Sequence, residues 1–378
     1  MEIYLDNAAT TRVCPEAADA AYKVMTEVYG NPGSTHKLGR EARAVLDDSR
    51  KKLAAALGCA PKEVYFTSGG TESDNWAILE GAYLQRRVGR HIISSAVEHD
   101  AVRKPLERLA REGYEVTLLS PDSTGAISVD AVREALREDT ALVSVMLVNN
   151  ETGCVFPVAE IARLLREHGS KALLHTDAVQ AFLKLPFRAD TLGADLISVS
   201  GHKLNAPKGV GALYIGPRCR AVRPLLAGGG QERGLRSGTE ATAQIAGFAK
   251  AVELRLAGYE EKLARMAQLK QYALEQLLTI DGVVRIGNGD APHILSVSLV
   301  GYPSANVVTE LGAQGICISA GSACHRGKLS HVYAAMKLDK RTAAGVLRVS
   351  FAPETTREEI DALVSALRKH KETRFPML

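Results

Sequence analysis

At 378 residues, 46% hydrophobic and 24% charged, the chain has an ordinary soluble globular composition. It is longer than one compact core takes up, which predicts two domains or one large domain with a satellite. A net charge of +4 with no Lys/Arg block interleaved with aromatics gives nucleic acid no footing, so no such partner is expected.

The N-terminal MEIYLDNAATT has an acid at position 2 and no apolar h-region, so a signal peptide is not expected. In chain order, EVYFTS (63–68) predicts a strand leading into a helix that opens at Thr71, and HIISS (91–95) a second strand before a helix near Asp100. YEVTLLS (114–120) leads to a helix over 129–137, and ALVSVMLV (141–148) to one over 158–168. ALVSVMLV is among the longest apolar runs and falls far short of a membrane span, so no membrane association is expected. KALLHT (171–176) and DLISVS (195–200) follow as strands. Strands that are apolar throughout and separated by helices belong to a mostly parallel sheet covered on both faces. The expected fold class is therefore α/β. Near residue 245 the texture changes. A long helical pattern runs from 242 to 278 through Gly247 and Gly258, followed by strand-like HILSVSLV (293–300) and VLRVSF (346–351) and by helices over 303–313 and 356–370. This predicts a smaller α+β domain.

Ligands of open α/β sheets bind beyond the carboxyl ends of the strands. Five of the apolar strands end in groups able to hydrogen-bond or titrate: Gly69, Gly70, Thr71 and Glu72; Glu98 and His99; Asn149, Asn150 and Glu151; Asp177 and Gln180; Ser200, His202 and Lys203. SGGTESDN (68–75) is a glycine turn entering a helix, with Thr71 and Asp74 in capping-box spacing and backbone N–H groups suited to a phosphate. No GxxxxGK[ST] loop occurs, and GVGALYIG (209–216) lacks the third glycine of the dinucleotide fingerprint, which argues against a nicotinamide dehydrogenase. Asp177 is either a helix N-cap or the counter-ion of a buried cation. Lys203 closes an apolar strand, where partial burial lowers an amine's pKa and frees it for Schiff-base chemistry; Lys208, in a Pro-Lys-Gly turn, reads as structural or external. A phosphate cradle, a carboxylate for a pyridinium nitrogen and a Schiff-base lysine together describe a pyridoxal-phosphate site. The cysteines (14, 59, 154, 219, 317, 324) form no metal-ligand spacing, so no metal is expected. Their pattern fits a reducing cytoplasm, with Cys317 in the core. His36 and His175 read as structural.

Ten motifs occur in order along the whole chain: YLDNAATT (4–11), GNPGSTH (30–36), FTSGGTESDN (66–75), EHDAV (98–102), VNNETG (148–153), HTDAVQ (175–180), SGHKLNAPKGVGALY (200–214), GGGQERGLRSGT (228–239), SAGSAC (319–324) and LRVSF (347–351). With them the sequence resembles the NifS/IscS-type cysteine desulfurases, within the class V aminotransferase family of fold-type-I pyridoxal-phosphate enzymes. The resemblance implies an aspartate-aminotransferase-like α/β fold: a large domain over 15–256 with a seven-stranded-type sheet, and a small α+β domain made of 1–14 and 257–378. It implies pyridoxal 5'-phosphate as cofactor, with Lys203 as the Schiff-base lysine that later moves the substrate's Cα proton. Asp177 then faces the pyridine nitrogen, Gln180 the ring hydroxyl, and His99 the ring face, where it also serves in acid–base chemistry. Gly70, Thr71, Ser200 and His202 hold the phosphate, joined by Thr239 from the partner subunit of a homodimer. Asn150 and Arg348 meet the substrate carboxylate, and Asn150 also contacts the cofactor. Cys324 takes the sulfur of L-cysteine as a persulfide, leaves L-alanine, and passes the sulfur to an acceptor protein in iron–sulfur cluster assembly or a thiolation pathway. Gly321, Ser322, Ala323 and Gly327 surround it with small residues that suit a swinging loop, and His325 and Arg326 favour its thiolate. Competing readings are a selenocysteine lyase, a transaminase, which needs no protein thiol, and a degenerate dimeric scaffold, which needs none of Lys203, Asp177, His99 and Cys324.

Overall fold

The computed structural model describes residues 2–219, 221–321 and 330–377. After a short β1 (Ile3–Tyr4), the strands of the larger sheet are β2 (Val64–Thr67), β3 (His91–Ser95), β4 (Glu115–Leu119), β5 (Thr140–Ser144), β6 (Leu173–Asp177), β7 (Leu196–Ser200) and β8 (Gly211–Ile215). They lie side by side in the order β2–β8–β7–β6–β5–β3–β4. All pairings from β7 through β4 are parallel, while β8 runs antiparallel to both β7 and β2.

Every residue of β3, β5, β6, β7 and β8 is buried, which is why these strands are apolar without alternation. Successive residues serve opposite faces. Leu142, Leu173 and Leu196 join a core with Trp76, Ile78, Val102 and Leu106, whereas Val143, Leu174 and Ile197 join one with Leu46, Leu53, Ile161 and Phe248. Helices Gly70–Leu84 and Asp100–Arg111 thus cover one face, and Lys37–Leu57, Val158–Glu167 and Thr242–Leu256 the other. The expected α/β architecture is present. GALYI, which as sequence shows only an incomplete nucleotide fingerprint, is the strand that runs against the rest. Its connection to β7, over 201–210, is shorter than the dozen or so residues a parallel crossover requires, so the chain turns straight back.

The rest of the chain adds β9 (Val283–Arg285), β10 (Ile294–Leu299), β11 (Ile316–Cys317), β12 (Ser319–Ala320) and β13 (Val346–Ser350). Four of these form an antiparallel sheet in the order β12–β13–β10–β9, and β11 pairs in parallel with β1. Helices Ser304–Ala313 and Arg357–Thr373 pack on it through a separate core that includes Leu311, Leu347, Val349, Ile360 and Leu367, and takes in Ile3 and Leu5 from the start of the chain.

Two expectations are corrected. The helical pattern over 242–278 is two helices, Thr242–Leu256 and Tyr259–Leu277, because Gly258 sits in the left-handed region at φ +65. Cys317 is half exposed: strand alternation sends Ile316 and Ile318 into the core and turns the thiol away. His36 is structural as expected, its Nδ1 accepting from the Gly39 N–H at 3.3 Å at the start of helix Lys37–Leu57. Among the described residues no helix is long and apolar enough to cross a membrane.

The segment 228–239 is moored to β2 by a buried ion pair. Glu232 accepts from Arg50 Nη1 and Nη2 at 2.7 and 2.6 Å and from the Phe66 N–H at 2.9 Å. Glu232→Ala leaves a buried guanidinium without its partner, and a stability loss of about 3–5 kcal/mol is expected. Urea unfolding measures it, and an unchanged midpoint would show that the pair contributes nothing.

Candidate active site

A cavity of ≈ 470 Å³ opens beyond the carboxyl ends of the large sheet. Gly70 and Thr71 reach it from the turn after β2, His99 from after β3, and Asn150 from the loop after β5. Asp177 and Gln180 reach it from β6, Ser200, His202 and Lys203 from β7, and Arg348 from β13. Ten residues singled out in the sequence therefore converge. Thr239 is exposed and does not line this cavity. Cys324, with its neighbours over 322–329, lies outside the described residues.

The turn after β2 has a backbone only glycine tolerates. Gly69 sits at φ +150, and a Cβ on Gly211 of β8 would come within 2.7 Å of the Gly69 Cα. Helix Gly70–Leu84 starts one residue earlier than expected and carries no side-chain cap. The capping-box reading of Thr71 and Asp74 is thereby corrected. Glu72 accepts from the Ser68 N–H at 2.8 Å and pairs with Arg236 at 2.8 Å, while Asp74 is buried. The first-turn N–H groups remain open to an anion at the cavity.

Asp177 caps the turn that follows β6 and not a helix, since the next helix is Ala189–Leu192, so the helix N-cap reading is corrected. Its Oδ1 accepts from the Val179 N–H at 2.8 Å, and the residue is only 7% exposed. Burial, and then the neighbouring Asp74, raise its pKa to about 7. Burial also raises Asp74 to about 7 and Glu98 to about 8. His175 stands among them, with Nδ1 at 2.8 Å from Ser144 Oγ and Nε2 at 3.1 Å from Ser198 Oγ. Burial takes its pKa down to about 4, so it is neutral and structural. A carboxylate whose charge is disfavoured by burial is one that an adjacent N–H⁺ stabilises. A protonated pyridine nitrogen meets that demand, and the uncapped helix start meets the demand of a phosphate, so these residues fit pyridoxal phosphate.

Lys203 ends the short turn Gly201–Lys203 and is half buried, whereas Lys208 is exposed as expected. Its Nζ donates to the carbonyls of Ala8 and Ala9 at 2.7 and 2.6 Å. These two carbonyls were not among the sequence candidates, since a main-chain acceptor has no side-chain signature; only the motif YLDNAATT marked the segment. Ala8 is itself held by its N–H to Ser350 Oγ at 2.8 Å. Arg348 donates to the Asn150 carbonyl, Asp6 Oδ1 and Ser319 Oγ at 2.9, 2.9 and 3.0 Å, and its buried Nε has no hydrogen-bond partner. His99 caps helix Asp100–Arg111, with Nδ1 accepting from the Ala101 N–H at 3.1 Å, and stays exposed at the mouth. Burial and the Lys203 charge lower the pKa of His202 to about 4. Among the described residues no group of three His, Cys, Asp or Glu side chains could hold a metal.

A lysine and a buried aspartate at neighbouring strand ends place the molecule among α/β enzymes. Its sequence matches the family Aminotransferase class-V over residues 3–363, and the chain belongs to that family. It is 42% identical over 371 residues to a cysteine desulfurase of Nostoc sp., covering 97% of this chain and 92% of that one. Among solved structures it is similar to a NifS-like protein with a TM-score of 0.92 at 35% identity, covering 99% of this chain and 100% of the other. It is also similar to SspA in complex with cysteine, with a TM-score of 0.81 at 33% identity, covering 94% and 100%. The architecture is the fold-type-I arrangement that the resemblance implied.

The buried carboxyls carry a pH signature. Folded Asp74 keeps its proton to about pH 7, against the ordinary 3.8. The folded state thus binds the extra proton between these values, and stability falls as pH rises through that window. In cofactor-free protein, Asp74→Asn is expected to reduce the drop in urea midpoint between about pH 5 and 8. Asp177 and Glu98 sustain the remainder. A drop of wild-type size would show that Asp74 is already ionised when folded.

Proposed function

We propose that this chain is a pyridoxal-phosphate-dependent cysteine desulfurase that converts L-cysteine to L-alanine and takes the sulfur on Cys324 as a persulfide. The observation that carries the reading is the meeting of Lys203 and Asp177 in one cavity beside an uncapped helix start. The relatives named cysteine desulfurase, aligned over nearly the whole chain, support the reaction, and the cysteine complex of SspA supports the substrate.

Bound pyridoxal phosphate supplies an aldehyde that condenses with amines and a ring that withdraws electrons from the substrate's Cα. Lys203 provides the resident amine and then carries the proton removed from Cα. Asp177 keeps a proton on the ring nitrogen, and that positive neighbour stabilises its own charge. Gly70 and Thr71 bind the phosphate through main-chain N–H groups, and Ser200 and His202 bind it from the end of β7. Thr239 completes the phosphate site from the partner subunit of a homodimer, a role that suits its exposure away from its own cavity. Gln180 donates to the ring hydroxyl, and His99 covers the ring from the mouth. Asn150 and Arg348 bind the substrate carboxylate, for which a planar guanidinium is suited. The Cys324 thiolate attacks the substrate sulfur. An S–S bond forms, the substrate's C–S bond breaks, its electron pair returns to carbon, and the protonated product leaves as alanine. A sulfur-acceptor protein then collects the sulfur for iron–sulfur cluster assembly or thiolation in the cytoplasm. The same reading divides the chain into a large domain over 15–256 and a small one of 1–14 and 257–378, a division supported by the separate core that takes in Ile3 and Leu5.

Lys203→Ala is expected to abolish the yellow absorption acquired with pyridoxal phosphate; a variant that keeps the band would overturn the lysine assignment. Cys324→Ser is expected to keep the colour and lose sulfide release from L-cysteine, with no mass gain of one sulfur on the peptide. Turnover at the wild-type rate would refute the nucleophile.

A further inference from the structure

Behind Gln180 lies a histidine with no part in the chemistry above. His293, 0% exposed and just ahead of β10, places Nε2 at 3.3 Å from Gln180 Oε1. The other end of that amide, Nε2, donates to the Ala8 carbonyl at 2.9 Å, and the same carbonyl accepts from Lys203 Nζ at 2.7 Å. A carbonyl oxygen only accepts, so the amide end beside Ala8 is the NH₂ end. Its oxygen then faces His293, whose Nε2 must carry the proton. We propose that His293 is a positioning residue: by donating to Gln180 Oε1 it locks the amide with its N–H groups turned toward the Ala8 carbonyl and the cavity. The inference rests on the pyridoxal-phosphate reading and extends it to a residue that never meets the cofactor.

The surroundings of His293 favour this tautomer. Its Nδ1 is buried without a hydrogen-bond partner, and the titratable groups that bear on the ring are the basic side chains of Lys184, Arg255, Lys270 and Arg348. Burial, and then these basic groups, hold its pKa well below the ordinary value, which disfavours a doubly protonated ring. Of the two neutral forms, the one that leaves a bare lone pair on Nδ1 and the proton on Nε2 satisfies Gln180. Without that donor, the amide can turn over and offer its oxygen where the site needs N–H. Lys184 Nζ is likewise buried without a hydrogen-bond partner, and burial holds its pKa well below the ordinary value.

The test compares H293L, H293Q, Q180L and the H293L/Q180L double variant as pyridoxal-phosphate-loaded proteins, reading the pH midpoint of the visible absorption band. H293L and Q180L are expected to move it in the same direction by about one pH unit, the equivalent of one lost hydrogen bond. The double variant is expected to move it no further, since both changes remove one linked interaction. H293Q, which retains an N–H donor, is expected to stay within about half a unit of wild type. H293L at the wild-type midpoint, or additive shifts in the double variant, overturns the proposal. If H293L fails to fold, nitrogen NMR of histidine-labelled wild-type protein decides instead. One histidine is expected to keep its proton on Nε2 and a bare Nδ1 from about pH 6 to 9, with a resonance that moves in Q180L. A proton on Nδ1, or no movement, overturns the proposal. A wild-type protein that acquires no visible band defeats the pyridoxal-phosphate reading, and the NMR comparison still decides on His293.

Discussion

One main-chain oxygen organises the site. The Ala8 carbonyl receives both the Lys203 amine and the Gln180 amide, at 2.7 and 2.9 Å. Its own residue is tied by its N–H to Ser350 in the small sheet. The Lys203 amine, the Gln180 amide and β13, which carries Arg348, are thus referred to a single point, although they come from the middle and the far part of the sequence and the oxygen from residue 8. Amines on long flexible stems lose considerable rotamer freedom when fixed. Two short carbonyl contacts on one ammonium offset part of that cost.

Charge is layered around this point. On the β6 side three buried carboxyls, Asp74, Glu98 and Asp177, are held toward their protonated forms by burial. On the side of β10 the buried groups are bases: Lys184, Arg255 and His293, each with its protonated form disfavoured. Between acids that resist ionising and bases that resist protonating, the cavity itself is lined by the Lys203 amine and the Arg348 guanidinium. An arriving ligand with both a phosphate and a basic nitrogen supplies charge of each sign, and low-dielectric walls strengthen its interactions.

Much of this was legible in the sequence. Five apolar strands ending in polar groups gave the sheet, the position of the cleft and nine of the ten residues named at it, because strands buried on both faces leave an unbroken apolar signature and ligands collect at their carboxyl ends. The reversal of β8 was not legible, since GALYI is as apolar as its parallel neighbours and direction is set by the length of the preceding loop. Nor was the break at Gly258, because the apolar stripe resumes in the following helix and only the backbone angle reveals the interruption. Asp74 was misread for a related reason: its spacing from Thr71 is that of a cap, but the side chain turns inward and leaves the helix start to the anion. The carbonyls of Ala8 and Ala9 and the tautomer of His293 have no residue code, and only three-dimensional hydrogen-bond accounting finds them.

The pairing of β1 with β11 and of Ala8 with Ser350 bears on how the molecule is made. A ribosome releases residues 1–11 more than three hundred residues before the strand containing Ser350 emerges. Lysine 203 and aspartate 177 can already stand on a folded sheet by then, but the segment that fixes the amine waits unanchored. Completion of the cavity therefore waits for β13, and a chain cut short before it lacks both the Ser350 anchor and Arg348.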